Sequence, residues 1–128
     1  MPDVGQLAGV IGFDPVPSSP VAELDLSVVV ATGTWVEVVS YTVTTDKTFY
    51  LTDLFLTDGT AAAGIEFFYR VRVGGAVKIQ GRIPAGHSLR DHLGTPLKVT
   101  SAVAATIEAY QWSGGDKTFH GGVLGFEV

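Results

Sequence analysis

The sequence predicts an all-β protein, a two-sheet antiparallel jelly-roll sandwich with an extended N-terminal arm. Three observations carry that reading. From residue 35 onward apolar and polar residues alternate in short runs, turn residues punctuate the runs, and no stretch keeps the 3.6-residue period of a long helix. The first 34 residues differ in composition: they hold Asp3, Asp14, Glu23 and Asp25 and no Lys or Arg, while the remaining nine acids and all eight bases lie beyond them. The chain therefore divides into an arm, 1–34, and a core domain, 35–128. At 128 residues it is long enough for one domain and too short for two ordinary ones.

Within the arm, Pro2, Pro15, Pro17 and Pro20 alternate with Gly5, Gly9 and Gly12 and leave no sustained period. The prolines of 15–20 lack backbone donors and favour polyproline geometry, which bars that run from a central sheet. A short strand is expected near 24–31. Val4, Leu7, Ile11 and Phe13 are the arm's candidate contacts, because a purely solvated tail has little reason to contain them.

In the core, 35–43 reads as a strand with β-branched residues at alternating positions, closed by a turn at 44–47. The run 49–57 follows and ends at Asp58-Gly59. The clearest amphipathic strand is 65–73, with Ile65, Phe67, Tyr69, Val71 and Val73 on one face against Glu66, Phe68, Arg70 and Arg72. Gly74-Gly75 predicts a tight hairpin into 76–82, since glycine tolerates positive φ in such turns. Residues 83–93 read as a crossing loop, 97–100 as a short strand, and 106–112 and 118–128 as the closing pair around a turn at 113–116. Gly121, Gly122 and Gly125 in the last strand imply a bulge or the close approach of another backbone or ring. Seven or eight such strands fit a sandwich or small barrel. Among sandwiches a jelly roll is favoured, although immunoglobulin-like strands have similar lengths and spacing.

Composition limits the chemistry. Without cysteine there is no disulfide, thiol nucleophile or thiolate ligand. His87, His92 and His120 have no metal-ligand spacing, no serine lies in a Gly-x-Ser-x-Gly elbow, and Gly74-Gly75 lacks the Gly-Lys-Ser/Thr ending of a phosphate loop. Asp53, Asp58, Glu66 and Glu108 are the acids placed on or beside strands, but a glycosidase needs two of them facing across a cleft. The chain is therefore expected not to be an enzyme, with no cofactor and no metal. A net charge of -5 argues against nucleic acid, which needs clustered bases. No apolar run is long enough to span a bilayer, so no membrane partner is expected.

Two surface features invite partners. Phe68 stands on the otherwise charged face of 65–73, where it and the neighbouring Arg70 and Arg72 are candidates for a subunit or shell interface. Arg70, Arg72, Lys78 and Arg82 also suggest a modest basic face on two paired strands, which resembles an anion-binding patch and equally suits pairing with the acidic arm of another subunit. Trp112, beside Gln111 and the Gly-Gly loop, is the candidate for a glycan contact.

Residues 35–51, Pro96-Leu97 with Val99, and the closing 122–128 (GVLGFEV) resemble small jelly-roll structural proteins of tailed bacteriophages, including head-decoration and fibre-associated trimers. That resemblance covers about 35–128. It implies a homotrimer placed on the major capsid protein or another virion protein, made in the host cytoplasm and stabilising the capsid surface, with arms crossing to neighbours. The alternative it implies is a carbohydrate- or host-receptor-binding module of a fibre or head appendage.

Overall fold

The computed structural model describes residues 18–59 and 64–128. Eight strands form, in order β1 (Ser19–Val30), β2 (Val36–Thr42), β3 (Phe49–Asp58), β4 (Phe67–Val73), β5 (Ala76–Ile83), β6 (Leu89–Val99), β7 (Ala104–Tyr110) and β8 (Lys117–Glu127). They build two four-stranded sheets, β1-β8-β3-β6 and β2-β7-β4-β5, in which every neighbouring pair is antiparallel.

The topology follows from folding the chain back on itself at Gly74-Gly75. Val73 pairs with Ala76, Leu51 with Leu97, Thr42 with Ala104 and Val30 with Lys117, so the first four strands meet the last four in mirror order. Rolling this long hairpin brings β8 beside β3 and β7 beside β4. The result is a jelly roll, which separates this chain from the immunoglobulin-like alternative. Gly74 takes φ 61° and makes the hairpin turn possible.

Alternation along the strands fills the space between the sheets. Phe49, Leu51, Leu56, Phe67, Val71, Ile107 and Phe119 are fully buried, each worth roughly 1.5–3 kcal/mol of burial. Phe67 and Phe119, from opposite sheets, meet edge to face at 5.0 Å. The glycines of β8 answer the sequence expectation. A side chain at Gly125 would run into the Tyr50 carbonyl oxygen and the Phe49 ring, and one at Gly122 into the Phe55 ring and Leu24.

Two boundaries move. The strand near 24–31 is longer, Ser19–Val30, and lies on this chain's own β8, with Val30 buried in the core. The sandwich therefore begins near residue 19 instead of 35. Pro20 is tolerated because β1 is an edge strand, where a missing donor breaks no central ladder. Likewise 83–93 is only partly a loop: β6 begins at Leu89. It runs past Gly94 and Pro96 because it too is an edge strand, and its register skips from His92 to Leu97 opposite β3. The arm contacts Val4, Leu7, Ile11 and Phe13 lie outside the described residues.

Candidate functional site

The outer face of β2-β7-β4-β5 carries a concave aromatic site. On β4 the period of two sends Phe68, Arg70 and Arg72 outward while Phe67 and Val71 enter the core. On β7 Glu108 and Tyr110 point outward opposite them, because Phe68 is registered with Tyr110 and Arg70 with Glu108. Trp35 enters from just before β2 and Trp112 from just after β7. Their rings form one cluster centred on Tyr110. Tyr110 lies 5.4 Å from Trp35, 6.2 Å from Trp112 and 6.3 Å from Phe68, and Phe68 lies 4.9 Å from Trp112. Trp35, Phe68, Tyr110 and Gln80 line a surface groove of about 460 Å³.

Charged groups brace the rings. Arg70 donates through Nε to Glu108 at 2.5 Å and places its guanidinium 4.1 Å from the centre of the Trp35 ring. Glu108 also holds Arg72 at 3.7 Å, Arg72 donates to the Gly75 carbonyl, and Arg82 pairs with Glu66. At partly exposed sites such ion pairs add less than about 1 kcal/mol each, as does the cation–π contact. Their consequence is geometric: the guanidinium fixes one face of Trp35.

Gln111 holds Trp112 in place. It is fully buried and satisfied on both ends: its amide donates to the carbonyls of Val30 and Gly115, and its oxygen accepts from the Ser113 amide and hydroxyl. The loop carrying Trp112 is therefore tied to β1, while the indole itself stays 45% exposed.

The structure thus brings Phe68, Arg70, Arg72 and Trp112 into one site, although sequence reading assigned them to two different roles. Trp35, Tyr110 and Gln80 were not singled out as site residues. Their outward parity was readable, but the pairing of β4 with β7 that gathers them was not.

The other outer face, on β1-β8-β3-β6, is of a different kind. Leu24, Leu26, Val29 and Leu124 are 55%, 61%, 54% and 43% exposed. Sequence reading passed over all four. Beside them, Asp53, Phe55, Arg90, His92 and Leu124 border a smaller hollow of about 330 Å³. His92 sits 2.8 Å from Asp53, and that hydrogen bond, with a second from Thr52, holds the Asp53 carboxyl below its ordinary value. His120 accepts from the Ser27 amide through Nδ1, and His87 approaches the Ala85 carbonyl. Among the described residues no three metal-ligating side chains gather.

At the rim between the sheets, Glu127 accepts from the Tyr41 hydroxyl and, at 2.8 Å, from the Thr44 amide. These bonds hold its carboxyl below the usual range, the Tyr41 bond most strongly, while burial and then Glu127 itself push the Tyr41 hydroxyl up. This pair closes the sandwich at the chain end, where Val128 and Thr48 exchange backbone hydrogen bonds of 2.9 and 3.0 Å.

Compared with known proteins, the chain matches no family model and no curated protein. Among solved structures it is similar to a chain in the structure of infectious bursal disease virus, Gt strain, at 13% identity and a TM-score of 0.40. The likeness spans 91% of this chain and 37% of that one, and at this level carries no argument about function.

Proposed function

We propose that this chain is a structural protein of a virus particle, a homotrimer that decorates and stabilises the capsid of a tailed bacteriophage. The observation that carries the reading is the exposed apolar group on β1 and β8, Leu24, Leu26, Val29 and Leu124, on a rigid jelly roll with only 16% charged residues. Side chains, not strand edges, make the contact. The register of β1 breaks between Asp25 and Val28, Ser27 adopts φ 64°, and β6 breaks at 93–96, and such bulges discourage edge-to-edge pairing.

Magnitudes say what else is needed. Completing the burial of four side chains that are about half exposed yields roughly 1 kcal/mol each. Association costs at least about 4 kcal/mol in lost freedom, so the patch alone comes close to break-even. Residues 1–17 hold Val4, Leu7, Ile11 and Phe13 immediately before β1, and supply the remaining apolar surface to a neighbouring subunit or to the shell. The assembly acts mechanically: it spans shell junctions and opposes outward pressure, with no catalysis and no cofactor.

Light scattering coupled to size exclusion tests this on the full chain and on a chain beginning at Ser18, which keeps β1 whole. A mass about three times 13.5 kDa for the full chain is expected, reduced or concentration-dependent after truncation. A strictly monomeric full chain at high concentration overturns the proposal.

A further inference from the structure

We infer that the groove lined by Trp35, Phe68, Gln80 and Tyr110, with the Trp112 ring packed beside Phe68 and Tyr110, is a binding site for a neutral saccharide. This goes beyond the assembly role and stands on a different sheet from the surface that role uses.

Shape comes first. The groove's volume of about 460 Å³ falls within the range of small-molecule sites, roughly 300–1,000 Å³. Its rings are not coplanar. Trp35 and Tyr110 are tilted by 47°, Phe68 and Trp112 by 34°, and Tyr110 and Trp112 by 38°, so they wall a trough instead of presenting one flat platform. A sugar ring has apolar C–H faces that lie against such rings and hydroxyls at its rim that need polar partners. Gln80 supplies a free amide donor and acceptor, with no side-chain hydrogen bond among the described residues, and it is registered directly beside Arg70. Glu108 and Arg70 offer a carboxylate oxygen and guanidinium N–H groups in a fixed arrangement suited to adjacent hydroxyls.

Charge then narrows the ligand class. Arg70 and Arg72 share Glu108, and Arg82 is paired with Glu66, so carboxylates offset the arginine charge beside the groove and a phosphate, sulfate or carboxylate gains little there over a neutral ligand. A quaternary ammonium ligand would meet the like charge of the Arg70 guanidinium, which lies over one face of Trp35, and that repulsion disfavours it. A neutral ligand with apolar faces and hydroxyl edges remains.

The rigidity of the site fits this use. Gln111 fixes the Trp112 loop through four hydrogen bonds and Arg70 fixes Trp35, so little side-chain freedom is lost on binding.

The test is a glycan array carrying neutral hexose and N-acetylhexosamine oligomers beside sialylated and sulfated ones, probed with the full chain. Hits are followed by titration of tryptophan fluorescence. Binding to neutral oligomers is expected, weakened at least tenfold by Trp112→Ala and by Gln80→Ala, with melting temperature and solution mass retained in both. Trp112 and Gln80 are exposed, so neither change threatens folding, and Gln80→Ala also leaves the aromatic packing intact. Absence of neutral-glycan binding overturns the inference, as does preference for the charged glycans or unchanged binding in both variants. Binding of a proline-rich peptide to the same rings without any glycan also overturns it.

Discussion

The two outer faces of this sandwich present their apolar groups in opposite ways. On β1-β8-β3-β6, Leu24, Leu26, Val29 and Leu124 are aliphatic groups more than two-fifths exposed. On β2-β7-β4-β5 the apolar groups are rings held at set tilts by Arg70, Glu108 and Gln111. Loose aliphatic surface gains mainly by being covered with another apolar surface. Braced rings beside polar groups instead gain by receiving a ligand of matching shape. The difference teaches that exposure alone does not define a site; what fixes the exposed group decides the kind of partner.

The largest effect expected is one that abolishes both faces together. Phe67→Ala removes a fully buried ring that joins the two sheets through Phe119, and should cost about 3–5 kcal/mol. Thermal or denaturant unfolding measures it; a loss below about 1 kcal/mol would mean that the sheets are held together elsewhere. Gln111→Ala comes next, at about 3 kcal/mol, because the Val30 and Gly115 carbonyls and the Ser113 amide lose their partner in a buried setting. It touches both faces at once. Near-ultraviolet circular dichroism should report a loosened Trp112, and hydrogen exchange a faster β1. Unchanged exchange in β1 would separate the faces that this residue is argued to link.

Trp112→Ala sharpens the comparison from the other side, since an indole 45% exposed should contribute less than about 1.5 kcal/mol to stability. A melt resolves this, and a large fall would make the ring a structural element instead of a ligand contact. The smallest effect is the acid response at the rim. The folded state holds Glu127 below its ordinary value of 4.5 through Tyr41 and Thr44, so the stabilisation is complete above that value and is lost as pH falls through the lower, folded one. Melting followed from pH 7 downward should fall below that point, and Glu127→Gln should flatten part of the fall; parallel acid limbs in both proteins would contradict the assignment.

Much of this fold was legible because alternation is local. The strand 65–73 showed its faces directly, and Phe67 and Phe68 went to the core and the surface as their parity required. The Gly74-Gly75 turn fixed the centre about which all other strands nest. Edge strands were harder to read. Pro20 in β1 and Gly94 and Pro96 in β6 carry the marks of a loop, and edge position alone lets the ladders continue through them. The groove was only half legible for a related reason. Phe68 and Trp112 were visible as outward aromatics, yet they are 44 positions apart in number, and only the β4–β7 pairing sets them 4.9 Å apart.

The separation of the two faces is tested most directly by solution mass, measured by light scattering on the Leu24→Asp/Leu26→Asp double variant beside Trp112→Ala. Charge on the β1 surface should reduce the double variant toward 13.5 kDa, while Trp112→Ala keeps the mass of the unaltered chain. An assembly that survives the two aspartates and falls apart on loss of Trp112 would place association on the aromatic face and contradict this account.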